Sequence, residues 1–273
     1  MPELPEVETV RRTLLPVICG RVVCEVHFFW EKVAANTPAA LLRERLVGGC
    51  LTDINRRGKY LIFTVADRGF LLVHLRMTGR LMALPTNTTY EEKHLRALLE
   101  LSGGISLRFV DQRKFGRFYW AENEDALTSI VKVGPEPLAD NFTPKTLANT
   151  IGRSSVPIKA LLLDQRRIAG LGNIYADESL FCAGILPQRP ANSLTASEIS
   201  CLCQAIRSTL TDALQNHGTT FRDYVDGRGE PGENQHHLLV YGRAGQPCKK
   251  CGSTLQKVRL AGRGTVYCAH CQQ

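Results

Sequence analysis

The spacing of hydrophobic residues divides the chain into two parts with different periodicity. In the first part, short hydrophobic runs, several of them alternating with polar residues, are separated by turn residues such as Asp67-Arg68-Gly69. Many short strands with intervening turns predict a β-sandwich or barrel. The predicted strands cover residues 21–29, 51–55, 60–65, 70–75, 95–101, 105–110 and 117–120.

Helical periodicity opens the chain and dominates after residue 134. Val7, Val10 and Leu14 fall on one helical face, and a second helix is predicted to start at Thr37-Pro38, with Thr37 as its cap. The stretch Gly134-Pro135-Glu136-Pro137 interrupts the strand pattern and predicts a domain boundary.

Four further helices are predicted beyond this boundary. They begin at Thr143-Pro144, at Pro157, at Asn173 as an N-cap, and at the capping box formed by Thr195 and Glu198. The last of them is long and is predicted to end at Gly218.

Composition adds a preference for an acidic partner. The chain has 273 residues, 44% of them hydrophobic, and a net charge of +8. The length is enough for about two domains, and the charge favours a polyanionic partner, either nucleic acid or an acidic membrane surface. A basic enzyme without such a partner would have the same composition. The sequence contains neither an apolar run long enough to span a membrane nor a secretory signal, so we expect a cytoplasmic protein.

Cysteine spacing predicts a metal site near the C-terminus. Cys248 and Cys251 are separated by two residues, and so are Cys268 and Cys271. Two such pairs are typical of a four-cysteine structural zinc site, while two disulfides are the less favoured alternative. The other six cysteines are scattered and are predicted to be reduced, buried thiols; they are Cys19, Cys24, Cys50, Cys182, Cys201 and Cys203.

The first residues carry candidate chemistry. Removal of Met1 would leave Pro2 with a free secondary amine, and an α-amine titrates near ~8, so it can act as a nucleophile near neutral pH. Such an amine forms a cationic iminium with a carbonyl-type carbon, and Glu3 is placed to transfer protons. The alternative is a capped helix whose first turn, with Glu6, is merely acidic.

Two glycine-containing turns could approach a phosphate closely. Residues 168–173 place two glycines beside a predicted helix N-terminus, and residues 261–264 form a predicted hairpin turn with Arg263 at its tip. A tight interhelical turn and a solvated turn with an incidental arginine are the respective alternatives.

The motifs of this chain, taken in order, resemble those of the formamidopyrimidine-DNA glycosylases, which are bacterial base-excision repair enzymes. The resemblance runs from end to end. It is carried by the start Met1-Pro2-Glu3-Leu4-Pro5-Glu6, by residues 57–61, 74–79, 111–116, 170–178, 235–237 and 240–243, and by the last four cysteines.

This resemblance implies an α+β fold with three domains. A helix and a β-sandwich would form the catalytic domain over residues 1–133. A helix–two-turn–helix DNA-binding domain would cover residues 134–235, and a β-hairpin zinc finger with one structural zinc would cover residues 236–273.

The resemblance also implies an activity: removal of 8-oxoguanine or formamidopyrimidines from double-stranded DNA, followed by β,δ-elimination at the abasic site. Its catalytic positions match Pro2, Glu3, Glu6, Lys59 and Arg263; for Lys59 and Arg263 the alternative is that they mainly bind phosphates. We expect a monomer that binds DNA and no membrane.

The expected DNA-contacting residues are His74, Met77, His94, Arg113, Phe115, Arg153, Lys159, Asn173 and Tyr241. Met77, Arg113 and Phe115 match the residues that fill the space of the flipped base. Residues 218–225 match the loop over that base, in which Thr219, Thr220, Arg222 and Tyr224 are the candidate contacts. Structural roles are the alternative for the two histidines, for Met77 and for Phe115, and a contact to a phosphate alone is the alternative for Arg113.

Two other functions remain open at this stage. A sister family removes oxidised pyrimidines with the same Pro-Glu start, but it usually has glycine where this chain has Leu4. A catalytically silent, zinc-stabilised DNA-binding protein is the second, and the intact Pro2 and Glu3 argue against it.

Overall fold

The chain divides into two compact units in the computed structural model, which describes residues 1–88 and 93–273. The first unit comprises Met1–Lys132 and Asn216–Glu233, and the second comprises Val133–Gln215 and Asn234–Gln273. The segment after the long helix therefore belongs with the N-terminal unit, whereas the three functional domains stay a prediction.

Among the described residues of the first unit, eight antiparallel strands form one sheet. They are β1 (Arg21–Phe28), β2 (Cys50–Arg57), β3 (Tyr60–Val65), β4 (Gly69–His74), β5 (Gly79–Pro85), β6 (Leu95–Leu101), β7 (Ile105–Asp111) and β8 (Arg117–Ala121). Their order is β5-β7-β6-β1-β2-β3-β4-β8, and β1 pairs with β2 in one half and with β6 in the other. A register shift between Val23 and Glu25 lets this one strand serve both halves.

The two halves of the sheet pack face to face as a sandwich. Phe109 of β7 and Phe118 of β8 belong to strands far apart in the sheet order, yet their ring centroids are 5.1 Å apart. Helix α1 (Leu4–Ile18) buries Val7, Val10 and Leu14 in the same core, as its periodicity predicts. The predicted sandwich and the α+β class are confirmed.

The second unit is helical and ends in a hairpin. Its helices are α4 (Pro144–Ile151), α5 (Ile158–Leu163), α6 (Asn173–Cys182) and α7 (Ala196–Gln215), and its strands are β9 (Gln256–Leu260) and β10 (Arg263–Tyr267). Thr143 caps α4, and Thr195 and Glu198 form the predicted capping box of α7. In the part of the chain that the structure describes, none of the helices is long and apolar enough to cross a membrane.

Several local predictions are wrong. Strand β5 and helix α3 (Glu124–Ile130) are missing from the predicted elements. Helix α2 (Ala39–Leu46) has Pro38 as its N-cap, with no side-chain cap from Thr37. Asn173 is the first residue of α6, because Gly172 takes the extended cap conformation, and α7 ends at Gln215 instead of at Gly218.

The prediction of buried thiols holds only for Cys203. Cys19, Cys24, Cys182 and Cys201 are exposed, and Cys50 is half-buried. The strand pattern explains Cys24, because it lies on the solvent side of β1 next to the buried Val23. All ten cysteines lie in described residues, and none of them forms a disulfide.

Candidate active site and nucleic-acid interface

The N-terminus of α1 holds the candidate catalytic residues in fixed positions. Pro2 is buried, and Glu3 and Glu6 are only 2% and 1% exposed. Glu3 is the N-cap, and its backbone N–H donates to Glu6 Oε2 over 2.7 Å, which forms a capping box. A capping box fixes the direction in which the chain enters the helix, so the backbone that carries Pro2 and Glu3 is ordered.

Glu6 also binds the candidate lesion loop. Its Oε1 accepts a hydrogen bond from the N–H of Thr219 over 2.8 Å. Gly218 has a φ of +82°, and an added Cβ there would lie 3.0 Å from the same oxygen. Glycine therefore permits both the backbone conformation and the close approach of the loop to α1.

Tyr224 anchors the C-terminal end of this loop. Its hydroxyl donates to the carbonyl of His217 over 3.0 Å, and burial raises its pKa well above the ordinary value. Among the other candidate contacts, Thr220 is half-buried and Arg222 is exposed. The loop thus has two anchored ends and an exposed middle.

Lys59 lies in the turn between β2 and β3, and His74 is the last residue of β4, which pairs with β3. Lys59 follows the turn residue Gly58, which has a φ of +55°, and only 5% of its surface is exposed. Burial, with the nearby cations of Arg76 and Lys59, lowers the pKa of His74 to about 3. His74 Nδ1 accepts the N–H of Arg76 over 3.0 Å, so the neutral ring carries its proton on Nε2 and can donate it to a phosphate.

Met77, Arg113 and Phe115 form one cluster. Arg113 Nη1 lies 3.2 Å from Met77 Sδ, and its guanidinium lies 4.7 Å from the centre of the Phe115 ring. Phe115 is 45% exposed, so it is not a core residue. The cluster presents an apolar edge and a cation together at the surface.

Asp111 holds the two loops of this cluster, a role that the sequence interpretation missed. The carboxylate is fully buried; Oδ1 accepts from Thr78 Oγ1 and from the Arg113 N–H, and Oδ2 accepts from the Gly116 N–H. Asp111 is the first residue of the motif 111–116 and the last residue of β7. An acidic residue at a strand end beside this motif was the sequence feature that could have indicated its role.

The two remaining candidates differ in exposure. His94 is half-buried, and its Nδ1 lies 3.3 Å from Nη2 of Arg96. Arg153 follows α4 and is exposed. Both can reach a polyanion at the surface of their own unit.

Lys159 does not have the environment of a DNA contact. It is fully buried, and its ammonium binds Asp177 Oδ1 over 2.7 Å and Thr265 Oγ1 over 2.8 Å. A fully buried ammonium cannot reach a phosphate outside the protein, so the predicted direct contact is wrong. Because Asp177 also accepts the N–H of Val266, the pair joins α5 and α6 to β10.

The other phosphate-binding candidates of this unit converge around that hairpin. The amide of Asn173 donates to the carbonyl of Gly264 over 3.0 Å, next to the exposed Arg263. Arg263 is the first residue of β10, because Ala261 and Gly262 form the turn itself. Arg263 was predicted at the tip of the turn, but it lies just after the turn, at the start of β10. Its side chain is exposed, as expected.

Glu178 binds the segment that carries Tyr241. Its carboxylate accepts the backbone N–H groups of Leu239, Val240 and Tyr241 at 2.7 to 2.9 Å. Burial raises the pKa of Glu178 and these N–H groups oppose the rise. Glu178 belongs to the motif 170–178, for which the sequence predicted no role of this residue. The structure shows that it orders the segment 239–241.

The last four cysteines converge to one point. Their sulfur atoms all lie within 4.8 Å of one another, with 3.9 Å between Cys248 and Cys271 and 3.5 Å between Cys251 and Cys268. Zinc–sulfur bonds of about 2.3 Å in a tetrahedron require sulfur atoms about 3.8 Å apart. The donor set therefore fits zinc, with all four positions taken by protein.

Three family models match successive parts of the chain. The formamidopyrimidine-DNA glycosylase N-terminal domain matches residues 1–118, and the H2TH domain of the same family matches residues 133–225. A zinc finger found in FPG and IleRS matches residues 245–273.

Similar proteins span the whole chain. The formamidopyrimidine-DNA glycosylases of Desulfitobacterium hafniense and Geobacillus kaustophilus are each 46% identical, with 100% of both chains covered. A Lactococcus lactis FPG mutant in complex with a Fapy-dG-containing DNA superposes with a TM-score of 0.93 at 37% identity, with 100% of both chains covered. MutM in complex with carbocyclic 8-oxo-G-containing DNA gives 0.92 at 38% identity, again over 100% of both chains.

Proposed function

Because the chain belongs to the formamidopyrimidine-DNA glycosylase family, we propose that Pro2, once Met1 is removed, is the nucleophile of its reaction. The protein is a base-excision-repair glycosylase for oxidised purines and also a lyase at the resulting abasic site. It holds one structural zinc, bound by Cys248, Cys251, Cys268 and Cys271. The observation that carries the proposal is the ordered, buried start of α1, where Pro2 and Glu3 are held beside Glu6 and the lesion loop.

The proposed first step is displacement of the base. The damaged nucleotide of a DNA duplex is flipped out of the stack. The Pro2 nitrogen bonds to the sugar C1′ as the bond to the base breaks, and the departing base takes up the proton that the amine releases. Glu3 then donates a proton to the ring oxygen O4′, and the C1′–O4′ bond breaks as the nitrogen–C1′ double bond of the iminium forms. A secondary amine can only give a cationic iminium, which withdraws electrons from the adjacent carbon.

The proposed second step is elimination. The iminium acidifies the C2′ hydrogen, and its loss expels the 3′ phosphate. A second elimination expels the 5′ phosphate, so the product is a gap with phosphates at both ends. Lys59 and Arg263 are proposed to bind these phosphates as they leave, because cations stabilise developing negative charge.

The remaining site residues are proposed to bind the DNA. His74, His94, Arg153, Asn173 and Tyr241 contact the backbone. Met77 and Phe115 fill the space that the flipped base leaves, and Arg113 pairs with the orphaned base. Thr219, Thr220, Arg222 and Tyr224 belong to the loop that closes over the lesion, with Glu6 as its support.

Cellular context follows from the same proposal. We propose a cytoplasmic monomer that associates with the nucleoid through its affinity for DNA. Sedimentation of the purified protein with and without one damaged duplex tests the monomer, since a dimer would bind two duplexes per particle.

The decisive experiment is borohydride trapping on duplexes that contain 8-oxoguanine. Reduction of the iminium should give a stable protein–DNA adduct, and peptide mapping should place it at Pro2. Retention of Met1 in active protein, or an adduct at Lys59 with Pro2 unmodified, would overturn the proposed nucleophile.

Glu3→Gln is the matched variant, because it keeps the amine and the size of the side chain. Base excision should fall by ~10²–10⁴-fold. Trapping on a preformed abasic site should persist, since the iminium then forms without base departure. Parallel duplexes with an oxidised pyrimidine test the sister-family activity; equal rates on both would count against a purine site.

A further inference from the structure

A single carboxylate in α1 gathers three arginines. Glu8 is 8% exposed, and its Oε1 accepts from Arg11 and Arg12 while its Oε2 accepts from Arg11 and Arg56, all at 2.8 to 3.0 Å. The hydrogen bonds from these guanidinium groups lower the pKa of Glu8 to about 2 against the effect of its burial, which is the largest influence and raises it. Glu8 is therefore ionised throughout the physiological range.

The three arginines lead to different places. Arg12 is 57% exposed and its guanidinium stays on α1, beside Glu8. Arg11 Nη1 donates to the carbonyl of Ile54, in the middle of β2. Arg56 lies at the end of β2, and its Nη1 donates over 3.0 Å to the carbonyl of Gly58, the residue that precedes Lys59.

Arg56 thus connects the helix that starts with Pro2 and Glu3 to the turn that carries Lys59. Gly58 and Lys59 form the turn between β2 and β3, because β2 ends at Arg57, β3 begins at Tyr60, and these two residues pair with each other. Gly58 has a φ of +55°, a left-handed backbone conformation that is unfavourable for most residues other than glycine. A charge-assisted hydrogen bond to its carbonyl can hold this turn in one geometry.

We propose that Glu8, acting through Arg56, is a positioning residue that sets the place of the Lys59 ammonium relative to the start of α1. The proposal rests on the function proposed above for Lys59. A displacement of about 1 Å in a positioning contact can cost on the order of a hundredfold in rate, so the connection has a kinetic consequence.

Arg11 supplies the matched control. It uses the same carboxylate and binds the same strand, but at Ile54 and not at the turn. Arg11→Ala and Arg56→Ala should therefore cost similar thermal stability, and only Arg56→Ala should affect Lys59.

The kinetic test is a double-mutant cycle of Arg56→Ala and Lys59→Ala, measured as single-turnover base excision and strand cleavage on a duplex with 8-oxoguanine opposite cytosine. Arg56→Ala should slow the Lys59-dependent step by roughly ten- to a hundredfold in the wild-type background. The same substitution should cost less than about twofold once Lys59 is alanine, because coupled residues are not additive. Equal losses in both backgrounds, or rates that simply follow thermal stability across the Arg11 and Arg56 variants, would overturn the proposal.

A second measurement tests the position of Lys59 directly. After ¹³C reductive methylation, the Lys59 methyl signal, assigned by its loss in Lys59→Arg, should shift in Arg56→Ala and stay unchanged in Arg11→Ala. An unchanged signal in Arg56→Ala refutes the positioning role. If that signal shifts but Lys59→Ala is fully active, the positioning stands and the proposed role of Lys59 fails.

Arg56→Lys keeps the experiment decisive if the alanine variant does not fold. It retains the charge beside Glu8, but a single ammonium lacks the fork that reaches both the carboxylate and the Gly58 carbonyl. The same double-mutant cycle and the same Lys59 methyl signal are measured for this variant. We expect a loss of rate between those of the wild type and Arg56→Ala. An equal loss of rate in both Lys59 backgrounds would contradict the proposal.

Discussion

Arg113 can discriminate between the bases opposite a lesion because its side chain only donates hydrogen bonds. It lies at the surface, held by Met77 and Phe115. The pairing edge of cytosine offers two adjacent acceptors, whereas that of adenine presents a donor. We predict that 8-oxoguanine is excised faster opposite cytosine than opposite adenine, and that Arg113→Ala loses ~1–3 kcal/mol of this preference.

The measurement is the ratio of excision rates on the two duplexes. Phe115→Leu serves as the control, since it alters the apolar wedge and leaves the donor in place, so its ratio should stay near that of the wild type. A wild type without preference, or an Arg113→Ala variant with full preference, would show that another residue selects the opposite base.

His74 makes stability depend on pH. Its pKa falls from near ~6.5 in the unfolded chain to about 3 in the folded protein, where burial disfavours the charged ring. The unfolded chain therefore takes up a proton first, so stability present above pH ~6.5 is lost as the pH falls towards 3. Between pH 7.5 and 5.5 the contribution of His74 to the free energy of unfolding should fall by about 1 kcal/mol.

Denaturant unfolding at both pH values checks this. His74→Asn replaces Nδ1 with an uncharged acceptor, so the pH-dependent loss should be smaller by that amount in the variant. The same slope in both proteins would mean that other groups cause the acid sensitivity.

At the scale of elements, the ion pair of Lys159 and Asp177 connects two helices to the C-terminal hairpin. Removal of one partner leaves a buried charge without compensation, which typically costs ~3–5 kcal/mol. We predict that Lys159→Met lowers the free energy of unfolding by such an amount. It should also weaken DNA binding, because β10 then loses the contact at Thr265 that lies near Arg263.

The double variant Lys159→Met, Asp177→Asn separates charge from packing. The asparagine keeps an acceptor for the Val266 N–H and removes the unpaired charge. It should be more stable than Lys159→Met alone. Equal stability of the two variants would indicate that the charge of Asp177 is unimportant.

Zinc should determine whether this hairpin is ordered. Strands β9 and β10 pair only with each other among the described strands, and an isolated two-stranded hairpin is marginal in water. Removal of the metal by a chelator should abolish amide-exchange protection over residues 256–267 and lower DNA affinity. Zinc addition should restore both, and full affinity in protein shown to be metal-free would contradict the prediction.

At the scale of the whole molecule, the net charge of +8 predicts strongly salt-dependent binding. The logarithm of the DNA association constant should fall with the logarithm of salt concentration by about 0.9 for each phosphate neutralised. Arg153→Ala should reduce the slope by about 0.9, because its side chain is exposed and proposed to bind one phosphate. Arg12→Ala, which removes a cation already paired with Glu8, should leave the slope unchanged.

Much of this protein could be predicted from local sequence. Strand β3 and strand β6 have the predicted bounds, and the capping residues Thr143 and Thr195 are where the pattern placed them. The zinc ligands also follow from spacing, because two short Cys-x-x-Cys turns present pairs of thiols before any tertiary contact forms. The proposed nucleophile and its proposed acid are adjacent residues, so Pro2 and Glu3 could be named as candidates from the local sequence alone.

Only the tertiary structure decided which charges are exposed and which are buried among internal partners. Lys159 meets Thr265 across 106 positions, and Glu6 meets Thr219 across 213. A periodic pattern describes the environment of a residue a few positions away, whereas burial of a charge depends on partners that arrive from distant segments. The sequence therefore determined most of the elements and the metal ligands and marked the start of the chain as a candidate site. Folding determined that Lys159 is buried and that the carboxylates of Asp111 and Glu178 hold their neighbouring loops through backbone N–H groups.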